Sequence, residues 1–204
     1  MAEDQLSVSG PPASPGILRG LLVIGGSAGS LTVVMRIAPL LKKSMGLAVL
    51  VVFHRKQSED SALIDVLSSR TELTVKETDD KDELTAGVMY LAPADYHVLI
   101  EKDYSLTLDD SEKVNFSRPS IDVTFESAAE VFGKHLLCLL LSGANADGVE
   151  GLRLARSLGA YVMVQDPSTA EVPFMPKQAV DRVTIDKIIH PDRLEELVKV
   201  LSRD

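Results

Sequence analysis

Short runs of consecutive apolar residues recur along this chain. Each is followed by a polar, often glycine-containing break and then by residues at helical spacing. Residues 21–24, 47–52 and 135–141 read as strands buried on both faces, because they show no alternation at all. Residues 31–43 read as a helix, with Val34, Ile37, Ala38 and Leu41 on one face and Pro39 kinking it. Further helices are expected over 61–69, 119–132, 148–158, 177–182 and 191–201, with Gly159 stopping the third of these. Short strands are expected at 73–76, 88–91 and 160–164. Residues 96–101 alternate strictly and, with 105–108, predict an antiparallel hairpin turning at Lys102-Asp103.

Buried runs alternating with helices imply an α/β fold: a doubly wound, mostly parallel sheet, Rossmann-like in its three layers, with the antiparallel hairpin at one edge. Residues 1–16 are polar and rich in Ser, Pro and Gly, so they read as a disordered leader or linker, and 17–204 as one domain. A chain of 204 residues is long enough to bury a sizeable core, roughly 70% of its unfolded surface.

Composition narrows the function. The formal net charge is −9 and no basic stripe is visible, which argues against nucleic-acid partners. Aromatic residues make up 4% of the chain with no Trp, so the core is aliphatic and base-stacking platforms are not expected. No apolar stretch approaches the ~20 residues needed to span a bilayer, and no signal peptide is visible, so no membrane insertion and a cytoplasmic location are expected. The one cysteine, Cys138, lies inside an apolar run and reads as a buried hydrophobe; it excludes an intrachain disulfide or a Cys-based metal site.

Three polar segments carry the candidate chemistry, and each directly follows a buried strand: Gly25-Gly26-Ser27-Ala28-Gly29-Ser30, Phe53-His54, and Gly143-Ala144-Asn145-Ala146-Asp147-Gly148. In open α/β sheets ligands gather outside the carboxyl ends of the strands. Ser27, His54 and Asp147 are the residue types of a nucleophile, its base and the group that orients the base. The alternatives stay open on the residues alone. The glycine turn could be a phosphate loop, although it lacks G-x-G-x-x-G, and Asp147 could simply cap the helix that follows it. His97 reads as a packed or surface residue, and His135 and His190 as boundary residues.

In order and in motif the chain resembles the catalytic domain of the CheB chemotaxis methylesterases from about Leu21 to Leu201. The family's G-A-S-T-G-G turn corresponds to residues 25–30, and its strand ending in Q-H-M to Phe53-His54-Arg55. Its A-P-x-x-x-H corresponds to residues 92–97, its R-P-S-x-D-x-x-F-x-S-A-A to Arg118 through Ala129, and its G-M-G-x-D-G to residues 143–148. Gln165-Asp166 and Phe174-Met175-Pro176 fall where the family has Q-D and G-M-P. The resemblance implies a serine hydrolase that demethylates γ-glutamyl methyl esters, and deamidates glutamines, on the cytoplasmic helices of chemoreceptors, without a cofactor or metal. Ser27 would be the nucleophile, His54 the base and Asp147 its orienter. The backbone of Ala28 and Ala144 would form the oxyanion hole, and Gly26, Gly29, Gly143 and Asn145 would line the substrate site.

The chain departs from the family at Ala28, Ser30, Ala144, Asn145 and Arg55-Lys56, and Asn145, where the family has Gly, is expected at positive φ. These departures leave two alternatives: a catalytically degenerate relative that binds a partner, or an esterase for another ester. With sixteen residues ahead of the domain, a stand-alone catalytic domain without the family's receiver domain is expected.

Overall fold

The apolar runs form strands because their β-branched and leucine side chains can be covered from both sides. In the computed structural model, which describes residues 17–54 and 60–202, nine strands and six helices follow in order. They are β1 (Gly20–Gly26), α1 (Ser30–Ile37), β2 (Leu47–Phe53), α2 (Asp60–Ser68), β3 (Thr74–Glu77), β4 (Val88–Leu91), β5 (His97–Ile100), β6 (Leu106–Asp109), α3 (Ile121–Phe132), β7 (Leu136–Leu140), α4 (Val149–Ser157), β8 (Tyr161–Gln165), α5 (Phe174–Arg182), β9 (Lys187–Ile189) and α6 (Glu195–Leu201).

Seven strands form one sheet in the order β3-β4-β2-β1-β7-β8-β9, and every pairing in it is parallel. Alternate residues of each central strand serve opposite layers. Leu21 and Val23 of β1 join Ile121 and Phe125 of α3 and Leu152 of α4 in one core; Leu22 and Ile24 join Val34 and Ile37 of α1, Leu67 of α2 and Leu197 of α6 in the other. The chain passes from β1 to β2 and on to the edge strand β3, fills the gap between them with β4, then returns to β7 on the other side of β1. The crevice at such a reversal of strand order is where α/β sheets bind ligands. Cys138, in β7, is fully buried.

The structure departs from the sequence expectations locally. The first helix stops at Ile37, and a 3-10 turn, Ala38–Leu40, carries Pro39, which has no N–H to continue the α-helical ladder. The hairpin forms its own two-stranded sheet, with Val98, Ile100 and Leu106 packed into the core that α3 shares. β9 was not expected, being three residues at the sheet's edge. α5 begins at Phe174, ahead of expectation, with Pro176 within its first turn, where a missing N–H costs nothing. α6 begins late, at Glu195. Residues 1–16, expected as a leader, and Arg55-Lys56 lie outside the described residues.

Candidate active site

Parallel register brings three strand ends side by side. Gly26 of β1 pairs with Phe53 of β2, and Gly25 with Leu140 of β7. The pairing extends past the strands: His54 N donates to Gly26 O (3.3 Å), and Ser27 N to Ser142 O (2.9 Å). Ser27 and His54 therefore stand at the same level on neighbouring strand ends.

The turn at Ser27 is tight because it lacks side chains at key points. A Cβ on Gly26 would stand 2.5 Å from Ser30 Cβ; Gly29 has φ 79°, and a Cβ there would stand 2.6 Å from Glu171 Cβ. Ser27 O accepts from Ser30 N (3.1 Å) and Ser30 Oγ (2.5 Å). Ser142 fastens the turn from the next loop: its Oγ donates to Ala28 O (2.7 Å) and accepts from Val172 N (2.9 Å), while its own N donates to Gln165 Oε1 (3.0 Å). The backbone is thus committed while Ser27 Oγ is not: among the described residues it makes no hydrogen bond. Likewise the N–H groups of Ala28 and Ala144, both exposed, have no acceptor among the described residues. Gly143 is committed through both backbone groups, N to Val172 O (3.1 Å) and O from Met175 N (2.9 Å), and a Cβ on it would stand 2.5 Å from Met175 Cε.

His54 and Asp147 meet directly, His54 Nε2 to Asp147 Oδ2 at 2.7 Å. Asp147 is fully buried, and its carboxylate also accepts from Ser120 Oγ (2.7 Å), Ile121 N (2.6 Å), Asp122 N (3.2 Å) and Asn115 Nδ2 (3.2 Å). Burial alone would push its pKa up; the hydrogen bonds from His54, Ile121 N–H and the Ser120 hydroxyl outweigh that and hold it below the ordinary aspartate value. Asp147 does not cap the helix after it, since Gly148 holds the N-cap position of α4. Its carboxylate lies at the N-terminus of α3 instead, where free N–H groups favour an anion. A carboxylate can only accept, so His54 Nε2 carries a proton, and in the tautomer with that single proton Nδ1 is the acceptor nitrogen. Nδ1 faces Ser117 Oγ at 3.3 Å.

A second buried carboxylate stands beside the first. Asp122 accepts from Gly151 N (2.7 Å) and from Asn115 Nδ2 (2.7 Å). Burial, reinforced by the charge of Asp147, pushes its pKa up to about 7, against the Gly151 hydrogen bond. Asn145 turns its side chain inward: Nδ2 donates to Asn115 O (3.4 Å) and Ser117 Oγ (3.3 Å), and Oδ1 accepts from Asp147 N (3.3 Å). It is not among the residues with positive φ, contrary to expectation. His97 is buried and structural, accepting from Ser120 N (3.0 Å) and bonding Glu112 O (3.1 Å).

Thus His54 and Asp147 come together, Ser27 stands next to His54 in register without a side-chain bond to it, and Asn115, Ser117, Ser120 and Asp122 join the site beyond the candidates read from sequence. Ser120 and Asp122 sit inside the matched R-P-S-x-D segment, which was their signal; Asn115 and Ser117 precede it and had none. Among the described residues, no group of three or more His, Cys, Asp or Glu side chains could hold a metal ion, and no helix is long and apolar enough to cross a membrane.

The family model described as CheB methylesterase matches residues 22–198. The chain belongs to the CheB methylesterase family. A Leptospira interrogans relative named putative protein-glutamate methylesterase/protein-glutamine glutaminase is 39% identical over 176 residues, covering 86% of this chain and 91% of that one. The Thermotoga maritima protein named protein-glutamate methylesterase/protein-glutamine glutaminase is 32% identical over 191 residues, covering 90% of this chain and 56% of that one. The crystal structure of the Thermotoga maritima CheB methylesterase catalytic domain superposes with a TM-score of 0.84 at 31% identity, covering 89% of this chain and 98% of that domain. This CheB-family chain therefore spans most of one relative and about half of another.

Proposed function

We propose that this chain is a serine hydrolase that removes methyl esters from protein glutamate side chains, and deamidates glutamines, on methylated chemoreceptor helices. The observation that carries the reading is the 2.7 Å bond from His54 to the fully buried Asp147, one strand from Ser27, whose hydroxyl has no partner among the described residues. The names of the relatives supply the substrate class.

In this reading the roles follow from the hydrogen bonds. Asp147 holds the Nε2–H, so Nδ1 is the nitrogen that takes the Ser27 proton; in the familiar serine-protease arrangement the two nitrogens are exchanged. Ser27 Oγ attacks the ester carbonyl, and the oxyanion is received by the Ala28 and Ala144 N–H groups. The intermediate collapses as His54 passes the proton to the departing methoxide oxygen, giving methanol, or to the departing amide nitrogen of glutamine, giving ammonia. Water, deprotonated at the same nitrogen, then hydrolyses the acyl-Ser27 ester. The Ser27–His54 bond forms on substrate binding, as catalytic hydrogen bonds commonly tighten only then.

Methanol release from a methylated chemoreceptor cytoplasmic fragment tests this. Wild type should release it, and Ser27→Ala should lose release by three orders of magnitude or more, as expected for a lost nucleophile. The occupation of His54 Nδ1 by Ser117 favours a second reading, a partner-binding protein without turnover. Stoichiometric labelling of wild type, but not Ser27→Ala, by a serine-directed phosphonate rules that second reading out.

A further inference from the structure

Residues 114–117 make a tight turn, with Ser117 N donating to Val114 O (2.9 Å). Both central residues, Asn115 (φ 50°) and Phe116 (φ 63°), are left-handed, a conformation that turns of this kind normally fill with Gly or Asn. A phenylalanine there is strained, and its side chain is 99% exposed. Nothing that Phe116 itself packs against accounts for the conformation, so its neighbours must hold it. Local strain of this sort persists only where surrounding structure over-determines it, and it collects at functional sites.

The neighbours do hold it. Arg118 anchors the segment, donating from one guanidinium nitrogen to Asp110 O (2.5 Å) and Ser111 O (2.7 Å). Both hydrogens of the Asn115 amide are used, one on Asp122 Oδ2 (2.7 Å) and one on Asp147 Oδ1 (3.2 Å). Both hydrogens of the Asn145 amide are used too, on Asn115 O and on Ser117 Oγ. Because the Asn145 amide nitrogen can only donate, Ser117 Oγ accepts from it and turns its own hydrogen toward His54 Nδ1. The direction of every hydrogen bond then agrees: Asn145 to Ser117, Ser117 to His54, His54 to Asp147. The imidazole is gripped at both nitrogens, by the fold on one side and by the turn on the other.

We propose that the turn at residues 114–117 is a positioning strap for the His54–Asp147 pair, with Asn115 fixing the carboxylate and Ser117 fixing the ring. The inference rests on the reading of His54 as the base. Asn115 stops Asp147 from rotating about its last bond, by tying Oδ1 to the buried Asp122. Ser117 holds the ring plane and its tautomer until Ser27 takes over Nδ1. Ser117 contacts Nδ1 only until Ser27 takes it over, and it acts through His54 rather than on the substrate.

The test uses Asn115→Gly, Ser117→Ala and Ser117→Thr. Glycine keeps the left-handed backbone and removes the amide; threonine keeps the hydroxyl. The readouts are kcat and KM on the methylated receptor fragment, the melting temperature, and the downfield proton resonance of the His54 Nε2–H. Asn115→Gly and Ser117→Ala should each lower kcat tenfold or more with KM within twofold, and broaden the resonance through faster exchange with water, while Ser117→Thr restores both. Asn115→Gly and Ser117→Ala that leave kcat within twofold and the resonance sharp overturn the strap, and so does a rise in KM alone, which would make the turn a substrate contact. If Asn115→Gly does not fold, the alanine and threonine pair at Ser117 decides. The resonance does not depend on turnover, so a Ser27→Ala variant that stayed active would defeat the serine-hydrolase reading while leaving the strap testable.

Discussion

The two halves of the site are held very differently. Asp147 is fully buried, and its carboxylate collects hydrogen bonds from five groups: His54, Ser120, Ile121, Asp122 and Asn115. Ser27 is partly exposed, and among the described residues its hydroxyl bonds to nothing. The difference teaches where the fold invests its order. Asp147 is part of the folding framework, its carboxylate held at the N-terminus of α3. Ser27, the proposed nucleophile, has its backbone fixed by the turn while its side chain bonds to none of the described residues. Removing the first should therefore damage structure and chemistry together, and removing the second chemistry alone.

The largest effect expected is at the framework end. Asp147→Ala leaves several buried donors unpaired and should cost roughly 3–5 kcal/mol in urea unfolding, whereas Ser27→Ala should stay within about 0.5 kcal/mol of wild type. Equal losses from the two would erase the contrast. The next effect concerns pH, because the paired carboxyls have opposite signs. Asp147 sits below the ordinary value of 3.8, so it stabilises the fold above that value and the contribution is lost only as pH falls through its own lower pKa. Asp122 is raised to about 7, so its protonated form favours the fold; that stability is fully present below 3.8 and is lost as pH rises through about 7. Asp122→Asn should flatten the decline in urea midpoint between about pH 4 and 7, a difference of a few kcal/mol at about 1.4 per unit. An unchanged slope would show that Asp122 titrates normally. The smallest effect is at the turn that carries Ser27. Gly29→Ala forces a side chain into a left-handed residue against Glu171 and should cost about 1–3 kcal/mol, with a larger proportional loss of activity than of stability. A neutral result in the melting temperature would mean that the turn is softer than its contacts indicate.

The framework was largely legible in the sequence because its signals are local. β1, β2 and β7 announce themselves as unbroken apolar runs, and the hairpin as strict alternation. Ser27 and His54 were legible because they end such strands. β9 was not, because three residues at an edge carry no period, and the early end of α1 turned on whether Pro39 kinks a helix or replaces it with a 3-10 turn. The His54–Asp147 bond joins residues 93 apart in sequence, so its existence was an inference from strand order and family resemblance alone. The turn bearing Asn115 and Ser117 was illegible for a different reason. Its importance lies wholly in polar contacts to distant elements, and neither hydrophobic spacing nor a helix cap marks it.

The single thiol of Cys138 gives the molecule a built-in clock. It lies fully buried in β7, between β1 and β8, and burial raises its pKa well above the ordinary value. An alkylating reagent therefore meets no reactive sulfur in the native protein. Its rate of consumption measures how often the middle of the sheet comes apart, so one colorimetric trace reports the opening free energy of the framework on which Ser27, His54 and Asp147 are mounted.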